Sequence, residues 1–256
     1  MNDEQIEKYF NLRKTDLDKA NKYRHMLVPD KLYKYMPADG NGFDDRIATL
    51  KRNELFLTNY KRMNDPYEFD GIYITYDDLK KDIKNEAIAN EVKKCMDEMK
   101  YMVMFTSFTT NKYDENLTMW AHYASGHKGF CVEYEIVCKE LLWDVFYSKN
   151  RCELKGKLIF SNPEKVRPFM LDNICIKHES WSYENEYRLI FFDEQNNCKS
   201  GVISNEDAGL KVSKLIVGCE CSVAHKNTIK ETAGILKCEY SYLEKSKDKY
   251  FLIEKT

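Results

Sequence analysis

The stretch FCVEYEI, at residues 130–136, decides the fold class, because apolar and polar residues alternate along it. A period of two is typical of a β-strand that buries one face. The face predicted to be buried consists of Phe130, Val132, Tyr134 and Ile136. The chain is therefore expected to contain a sheet, and the segments on either side show what packs on it.

Further strands are predicted at residues 32–35, 55–58, 101–109, 143–147, 187–192 and 215–217, with one or two more in the tail. Helical periodicity predicts helices at residues 3–28, 43–50, 77–100, 119–123, 163–177 and 223–236. Strands and helices are interspersed without a regular βα alternation. This order favours an α+β fold, in which helices pack on a mixed or antiparallel sheet.

The length of 256 residues favours one domain with elaborations over two domains. Residues 3–28 carry a few apolar side chains on a strongly charged background, and the predicted helix ends near Pro29. We therefore expect an accessory helical segment at residues 1–28 and a single α+β domain at residues 29–256.

Charge and targeting signals narrow the classes of function. The 40 basic side chains are balanced by 42 acidic ones, so no global field attracts nucleic acid or anionic lipid. The start, MNDEQIEKYF, is unlike an export signal, and no run approaches the roughly 20 apolar residues that span a bilayer. An odd count of nine cysteines without such a signal favours reduced thiols. The sequence predicts a cytoplasmic protein without membrane contact.

Common nucleotide-binding, metalloprotease and hydrolase motifs are absent from the sequence. Four clusters of polar and aromatic residues remain as candidates for a functional site: LYKY at 32–35, MNDPYEF at 63–69, MWAHYASGHKG at 119–129 and WSYENEYR at 181–188. Because polar and aromatic groups gathered in a cleft mark a pocket, we expect the four clusters to converge on one concave site.

The first two clusters allow both a structural and a functional interpretation. Lys34 lies between aromatic residues, either as a solvated lysine on an edge strand or as a ligand contact. Asn64 and Asp65 precede Pro66, so a tight turn is expected, with their side chains capping backbone amides. Asn64, Asp65 and Glu68 are also binding candidates, because loops held by strands often carry sites.

The other two clusters carry candidates for proton transfer and charge stabilisation. Packing alone explains Trp120, whereas His127, in a glycine-flanked loop, has an imidazole suited to proton transfer near neutrality. The strand period places Glu184, Glu186 and Arg188 on one face. The simpler interpretation of that face is an exposed ion pair worth about 0–1 kcal/mol.

The segments LYKY, MNDPYEF, MWAHYASGHKGFCVEY and WSYENEYRLI, in this order, resemble the bacterial family called Domain of Unknown Function 2971. The similarity runs from about Leu32 to Phe192. The family name implies no established reaction.

A second resemblance is to the NAD-using ADP-ribosyltransferases, through the strand-helix-strand start, the Thr/Ser-bearing strand at residues 105–109 and the Glu-x-Glu of Glu184 and Glu186. It implies that Lys34, in place of the usual arginine, grips the NAD phosphates, that Ser107 orders the pocket and that Glu186 bonds the nicotinamide ribose. It also implies an ADP-ribosyltransferase-like variant of the α+β fold.

The leading hypothesis is therefore an NAD-dependent ADP-ribosyltransferase or NAD glycohydrolase, a toxin or antiphage defence effector acting on a protein or nucleic-acid acceptor. NAD is its substrate, and no metal is invoked. The expected catalytic residues are Glu186, Glu184 and His127, and the expected binding residues are Lys34, Tyr35, Asn64, Asp65, Glu68, Ser107, Trp120, Tyr123 and Arg188.

Two alternatives stay open. The first is a metal-independent hydrolase or nuclease that uses Asp65, Glu68, His127 and Glu186. The second is a non-catalytic nucleotide or nucleic-acid binding module, in which Trp120 and Tyr123 stack on the ligand while Lys34 and Arg188 neutralise its charge.

Overall fold

The structure is a computed structural model that describes residues 3–38, 40–73, 90, 94, 98, 100–153, 171–192 and 201–256. Its helices are α1 (Asp3–Thr15), α2 (Leu17–Leu27), α3 (Phe43–Lys51), α4 (Leu117–Tyr123) and α5 (Val223–Leu236). Its strands are β1 (Lys31–Met36), β2 (Glu54–Leu57), β3 (Ile72–Tyr73), β4 (Val103–Thr109), β5 (Phe130–Ile136), β6 (Leu142–Asp144), β7 (Phe146–Ser148), β8 (Cys152–Glu153), β9 (Ile176–His178), β10 (Glu186–Phe192), β11 (Gly201–Ser204), β12 (Leu210–Val217), β13 (Glu239–Lys245) and β14 (Leu252–Lys255). Within these ranges, no helix is long and apolar enough to span a bilayer.

One eight-stranded sheet organises the protein, with the strand order β14-β13-β12-β5-β1-β4-β10-β6. The pairing is antiparallel except between β12 and β13, which run parallel. A mixed sheet with packed helices confirms the predicted α+β fold class.

The strand that decided the fold class, β5, lies inside this sheet between β1 and β12. Phe130, Val132 and Tyr134 are fully buried in the main core, as the alternation predicts. The opposite face is covered as well, because Cys131 packs with Trp120 in a second core. The strand is therefore buried on both faces rather than on one.

The sheet parts between β1 and β4. Strand β1 pairs with β5 along its whole length, and β4 pairs with β10 along its whole length. In contrast, the register between β1 and β4 holds only the pair Tyr33↔Thr109 in the described part of the chain. Further along the same edge, Phe105 of β4 bonds instead with Thr58, which follows β2. A gap therefore remains along this edge of β4, between β1 and the segment that contains Thr58.

The N-terminal segment is helical, as predicted, but it forms two helices rather than one. Asp16 separates them and caps α2, since its side chain accepts a hydrogen bond from the amide of Lys19 at 3.0 Å. Tyr9 is buried in a core with residues of β4 and β7. Arg24 is 2% exposed, donates to the carbonyl of Leu142 and lies over the ring of Trp143. These contacts make the segment part of the core instead of an added appendage.

Three other predicted elements lie outside the described residues or differ from the structure. The helix predicted at residues 77–100 falls mostly outside the described residues, as does the start of the one predicted at residues 163–177. The described end of the latter is wrong, because the helix at residues 171–174 stops there and β9 follows, paired parallel with β7. The strand predicted at residues 143–147 is two short strands that join different sheets.

Candidate functional site

A cleft of about 630 Å³ opens where the sheet parts between β1 and β4. Its volume lies within the range of roughly 300–1,000 Å³ that is usual for small-molecule sites. It is lined by residues from β1, α3, β2, β4, α4, β9 and the start of β10. The predicted site residues that line it are Lys34, Tyr35, Asn64, Ser107, Tyr123, Glu184 and Glu186. Each of the four sequence clusters therefore contributes residues to the lining of this cleft. Other residues of the same clusters do not line it.

Glu186 is the most deeply buried carboxylate of the cleft, at 3% exposure, and we call its surroundings the floor. It begins β10 directly after Asn185, whose left-handed φ of 43° ends a 3₁₀ helix at Glu179–Glu184. Its backbone amide donates to the hydroxyl of Tyr147 at 2.9 Å. Its Oε1 accepts from the hydroxyl of Ser107 at 2.5 Å. The carboxylate is therefore fixed from both the backbone and the side chain.

Arg188 supports Glu186 from behind the floor. Its Nε and one terminal nitrogen donate to the two oxygens of Glu186 at 2.8 and 3.0 Å. Its other terminal nitrogen donates to Oε1 of Glu68 at 2.6 Å. Arg188 is completely buried, so the exposed-pair interpretation is wrong. Neither Arg188 nor Glu68 lines the cleft; Arg188 holds Glu186 in place, and Glu68 in turn bonds Arg188.

Lys177, on β9, joins the two glutamates of the Glu-x-Glu sequence. Its ammonium donates to Glu184 at 2.6 Å and to Glu186 at 3.3 Å. The hydroxyl of Tyr123 donates to the other oxygen of Glu184. Lys177 lines the cleft and was missed in the sequence, because its neighbours favoured a helix over the strand that it occupies.

The pKa values of the two glutamates are shifted in opposite directions. Burial raises the pKa of Glu186, but the charges of Arg188 and Lys177 outweigh this and lower the pKa to about 2. For Glu184, burial outweighs Lys177 and raises the pKa. Glu186 is thus a permanent carboxylate at neutral pH, and Glu184 is the more easily protonated of the two.

Lys34 reaches into the gap between β1 and β4. Its ammonium donates to the hydroxyl of Thr106 at 2.7 Å and to the carbonyl of Ser107 at 2.9 Å. Burial lowers its pKa to about 8, although the charge of Glu186 acts in the opposite direction. Since β1 lies inside the sheet, the interpretation of Lys34 as a solvated residue on an edge strand is wrong.

Of the aromatic candidates, Tyr123 and Tyr35 line the cleft and Trp120 does not. Trp120 is completely buried, and its indole donates to the carbonyl of Tyr113 at 2.7 Å. Its ring packs edge-to-face against Tyr35 at 5.0 Å between centroids. Trp120 therefore supports Tyr35 from below, and its predicted stacking on a ligand is wrong.

His127 and Asp65 are also absent from the cleft lining. His127 has a φ of 68° in the turn after α4, and its ring lies parallel to Trp120 at 6.3 Å. Burial lowers its pKa. Asp65 is buried and accepts from the amide of Tyr67 at 2.9 Å, which confirms the predicted turn. Only Asn64 of that turn's polar candidates lines the cleft, so the predicted catalytic role of His127 and binding role of Asp65 lose their geometric basis.

The positions of Asp65, Glu68 and His127 outside the cleft lining weaken the hydrolase alternative. A hydrolase built from Asp65, Glu68, His127 and Glu186 would need these groups in one cleft, and only Glu186 lines it. Among the residues that the structure describes, no group of three or more His, Cys, Asp and Glu side chains is placed to hold a metal ion.

One family model matches the chain, over residues 119–189, and it is described as "Protein of unknown function (DUF2971)". The DUF2971 resemblance is thereby confirmed over this segment. No curated protein and no solved structure matches the chain, so the comparisons give no support to the ADP-ribosyltransferase resemblance.

The DUF2971 segment runs from α4 to β10 and contains the floor of the cleft. Tyr123, Lys177, Glu184, Glu186 and Arg188 all fall within it. Lys34 and Ser107, which complete the cleft, lie outside the matched residues. The sequence resemblance and the geometry therefore meet at the same paired glutamates.

Proposed function

We propose that the cleft binds a nicotinamide dinucleotide and cleaves its bond between nicotinamide and ribose, by hydrolysis or by transfer to an acceptor. The observation that carries the proposal is the carboxylate of Glu186, held ionised at the floor of a ligand-sized cleft by Arg188 and Lys177. A fixed negative charge at this depth suits a reaction that develops positive charge on the substrate.

The chemistry follows from what breaks. When the glycosidic bond breaks, nicotinamide leaves with the bonding electrons as a neutral molecule, and the ribose carbon acquires oxocarbenium character, as in glycoside hydrolysis. The carboxylate of Glu186 stabilises that charge. Water or an acceptor group then bonds to the carbon and loses a proton. Glu184 lies beside Glu186 with a pKa that burial raises, which suits it to accept the proton.

One observation favours a second function, nucleotide binding without turnover. Both oxygens of Glu186 already accept hydrogen bonds from protein groups, namely Ser107, Lys177 and Arg188. A carboxylate so fully engaged can serve as a rigid part of a binding pocket. Binding of NAD without release of nicotinamide would identify this second function.

The direct test is to incubate the purified protein with NAD, with and without cell extract, and to measure released nicotinamide. Release without extract indicates hydrolysis, and release only with extract indicates transfer. The variant Glu186→Gln should lose about 100-fold in rate, the scale for removing one group that stabilises developing charge. Full turnover by a folded Glu186→Gln variant would exclude Glu186 as the catalytic carboxylate.

Glu186 belongs to a buried ion cluster, so its variant needs two controls. Ser107→Ala removes the hydrogen bond to Oε1 and leaves every charge in place, so we expect it to fold and to lose part of the rate. Glu179→Gln changes an exposed carboxylate at the start of the same 3₁₀ helix and should leave the rate unchanged. Equal losses in Ser107→Ala and Glu179→Gln would show that the assay reports general damage.

A further inference from the structure

Two arginines line the cleft without a carboxylate partner among the described residues. Arg46 lies on α3, and Arg62 ends a 3₁₀ turn after β2. Within the described residues, Arg46 donates a long hydrogen bond of 3.5 Å to the carbonyl of Pro37, and Arg62 lies over the ring of Phe56 at 5.6 Å. In contrast, Arg52 and Arg188 each bond a glutamate. Because Arg62 is exposed and Arg46 half-buried, we call this part of the cleft its mouth.

The charges that line the cleft are unevenly compensated. Three of its glutamates already have cations, since Glu54 bonds Arg52, Glu184 bonds Lys177 and Glu186 bonds Arg188. Asp45 is the remaining carboxylate of the lining, which also contains the three cations Lys34, Arg46 and Arg62. The mouth therefore has excess positive charge, whereas the floor presents a carboxylate. A ligand that fits both ends carries an anionic group toward the mouth.

We infer that Arg46 and Arg62 form a subsite for the diphosphate group of a nucleotide. The inference rests on the proposed function, which places the ribose to be cleaved at Glu186, and it fixes the direction in which the dinucleotide lies. A guanidinium stays charged at all accessible pH values and bonds phosphate oxygens in pairs, which gives both affinity and orientation. The half-exposed Lys34 adds charge to the same cleft.

Calorimetric titration with ADP and with inorganic pyrophosphate tests the subsite without any turnover. The variants Arg46→Ala and Arg62→Ala should each weaken binding of both probes by about tenfold or more, as expected for losing a charge-assisted contact. Arg151→Ala is the matched control, because Arg151 carries the same charge, is exposed, does not line the cleft and bonds the backbone carbonyl of Asp70. It should change the affinity by less than about twofold.

Three results would overturn the subsite. The first is no binding of either probe to the unchanged protein at millimolar concentration. The second is an equal loss in Arg151→Ala, which would indicate a general charge effect. The third is binding of ADP that neither Arg46→Ala nor Arg62→Ala weakens, which would place the phosphates elsewhere.

The test separates the subsite from the proposed cleavage. Arginine-dependent binding of ADP in a protein that releases no nicotinamide from NAD keeps the subsite and rejects the cleavage. Release of nicotinamide with an unchanged KM in Arg46→Ala and Arg62→Ala keeps the cleavage and rejects the subsite. A raised KM with little change in kcat in both variants supports the two together.

Discussion

Arg188 and Lys34 are two cations near the same carboxylate, the first completely buried and the second half-buried, and they are stabilised in opposite ways. Arg188 bonds Glu186 and Glu68, and these carboxylates raise its pKa well above the ordinary value against the effect of burial. The ammonium of Lys34 bonds the hydroxyl of Thr106 and a backbone carbonyl, and burial lowers its pKa to about 8. The charge of Arg188 is therefore compensated by the carboxylates that it bonds, whereas the described hydrogen-bond partners of the Lys34 ammonium are neutral oxygens.

This difference distinguishes a cation that supports the cleft from one that is placed to act within it. A buried charge with carboxylate partners holds those partners in a fixed geometry, even where its net effect on stability is small. A charge that is partly buried beside neutral oxygens costs free energy that the fold alone does not require, and such groups concentrate at functional sites. Arg188 therefore belongs to the frame of the cleft, and Lys34 belongs to its interior surface.

The largest expected effect comes from removing Arg188, the cation that bonds two carboxylates. Arg188→Ala leaves Glu186 and Glu68 buried without their cation, so it should lower the free energy of unfolding by about 3–5 kcal/mol. Urea denaturation measures this, with Arg52→Ala as a surface-pair control that should cost about 0–1 kcal/mol. A loss no larger than that of the control would mean that the cluster is not what holds the floor together.

Acid should weaken the same cluster through Glu186. Its pKa of about 2 in the folded protein lies below the ordinary value of 4.5, so its contribution is complete above pH 4.5 and is lost as the pH falls from there toward 2. The loss should be on the order of 3 kcal/mol, by the relation between pKa shift and free energy. Unfolding measured against pH in the unchanged protein and in Glu186→Gln should converge at low pH, and parallel curves would contradict this.

Alkaline pH should act through Lys34 and should make the folded protein more stable, whereas acid acting through Glu186 makes it less stable. The pKa of Lys34 is lowered from 10.5 to about 8, so the unfolded chain binds more protons between these values and folding becomes more favourable as the pH rises through them. The gain should be about 2 kcal/mol, less than the full shift implies because the side chain is half-buried.

The alkaline effect must be separated from other groups. Burial raises the pKa of several tyrosines and cysteines, and these groups make the folded protein less stable as the pH rises. Comparison with Lys34→Met removes this background, because both proteins contain those groups. The unchanged protein should gain stability relative to Lys34→Met between pH 8 and 10.5. A constant difference would mean that Lys34 is solvated.

The smallest expected effect is at the mouth of the cleft. Arg46→Ala and Arg62→Ala remove cations without a carboxylate partner, so each should change the free energy of unfolding by less than about 0.5 kcal/mol. The same denaturation experiment measures this. A loss comparable to that of Arg188→Ala would place these arginines in the frame of the protein and weaken the case for an anionic ligand.

Local patterns in the sequence predicted much of the fold. The alternation at residues 130–136 corresponds to β5, the strand predicted at residues 187–192 corresponds to β10, and the periodicity at residues 223–236 corresponds to α5. The Asn-Asp-Pro turn also follows from local chemistry. What these share is that each depends on residues close in sequence.

The parts that sequence could not supply depend on contacts between distant segments. Burial of Trp120 and Arg188 became visible only when their partners were in place, since tryptophan and arginine occur both in cores and in clefts. Lys177 was hidden by a false helical pattern. Arg46 had no signal at all, because one arginine on a short helix is indistinguishable from a solvated one.

The single residue pair between β1 and β4 has a mechanical consequence. Each half of the sheet has its own continuous ladder, whereas the described residues of β1 and β4 share the pair Tyr33↔Thr109, so we expect deformation of the sheet to concentrate at this seam. Lys34 lies on one half and Glu186 on the other. A molecule that contacts both would act as a cross-link over the seam and make the two halves deform as one plate.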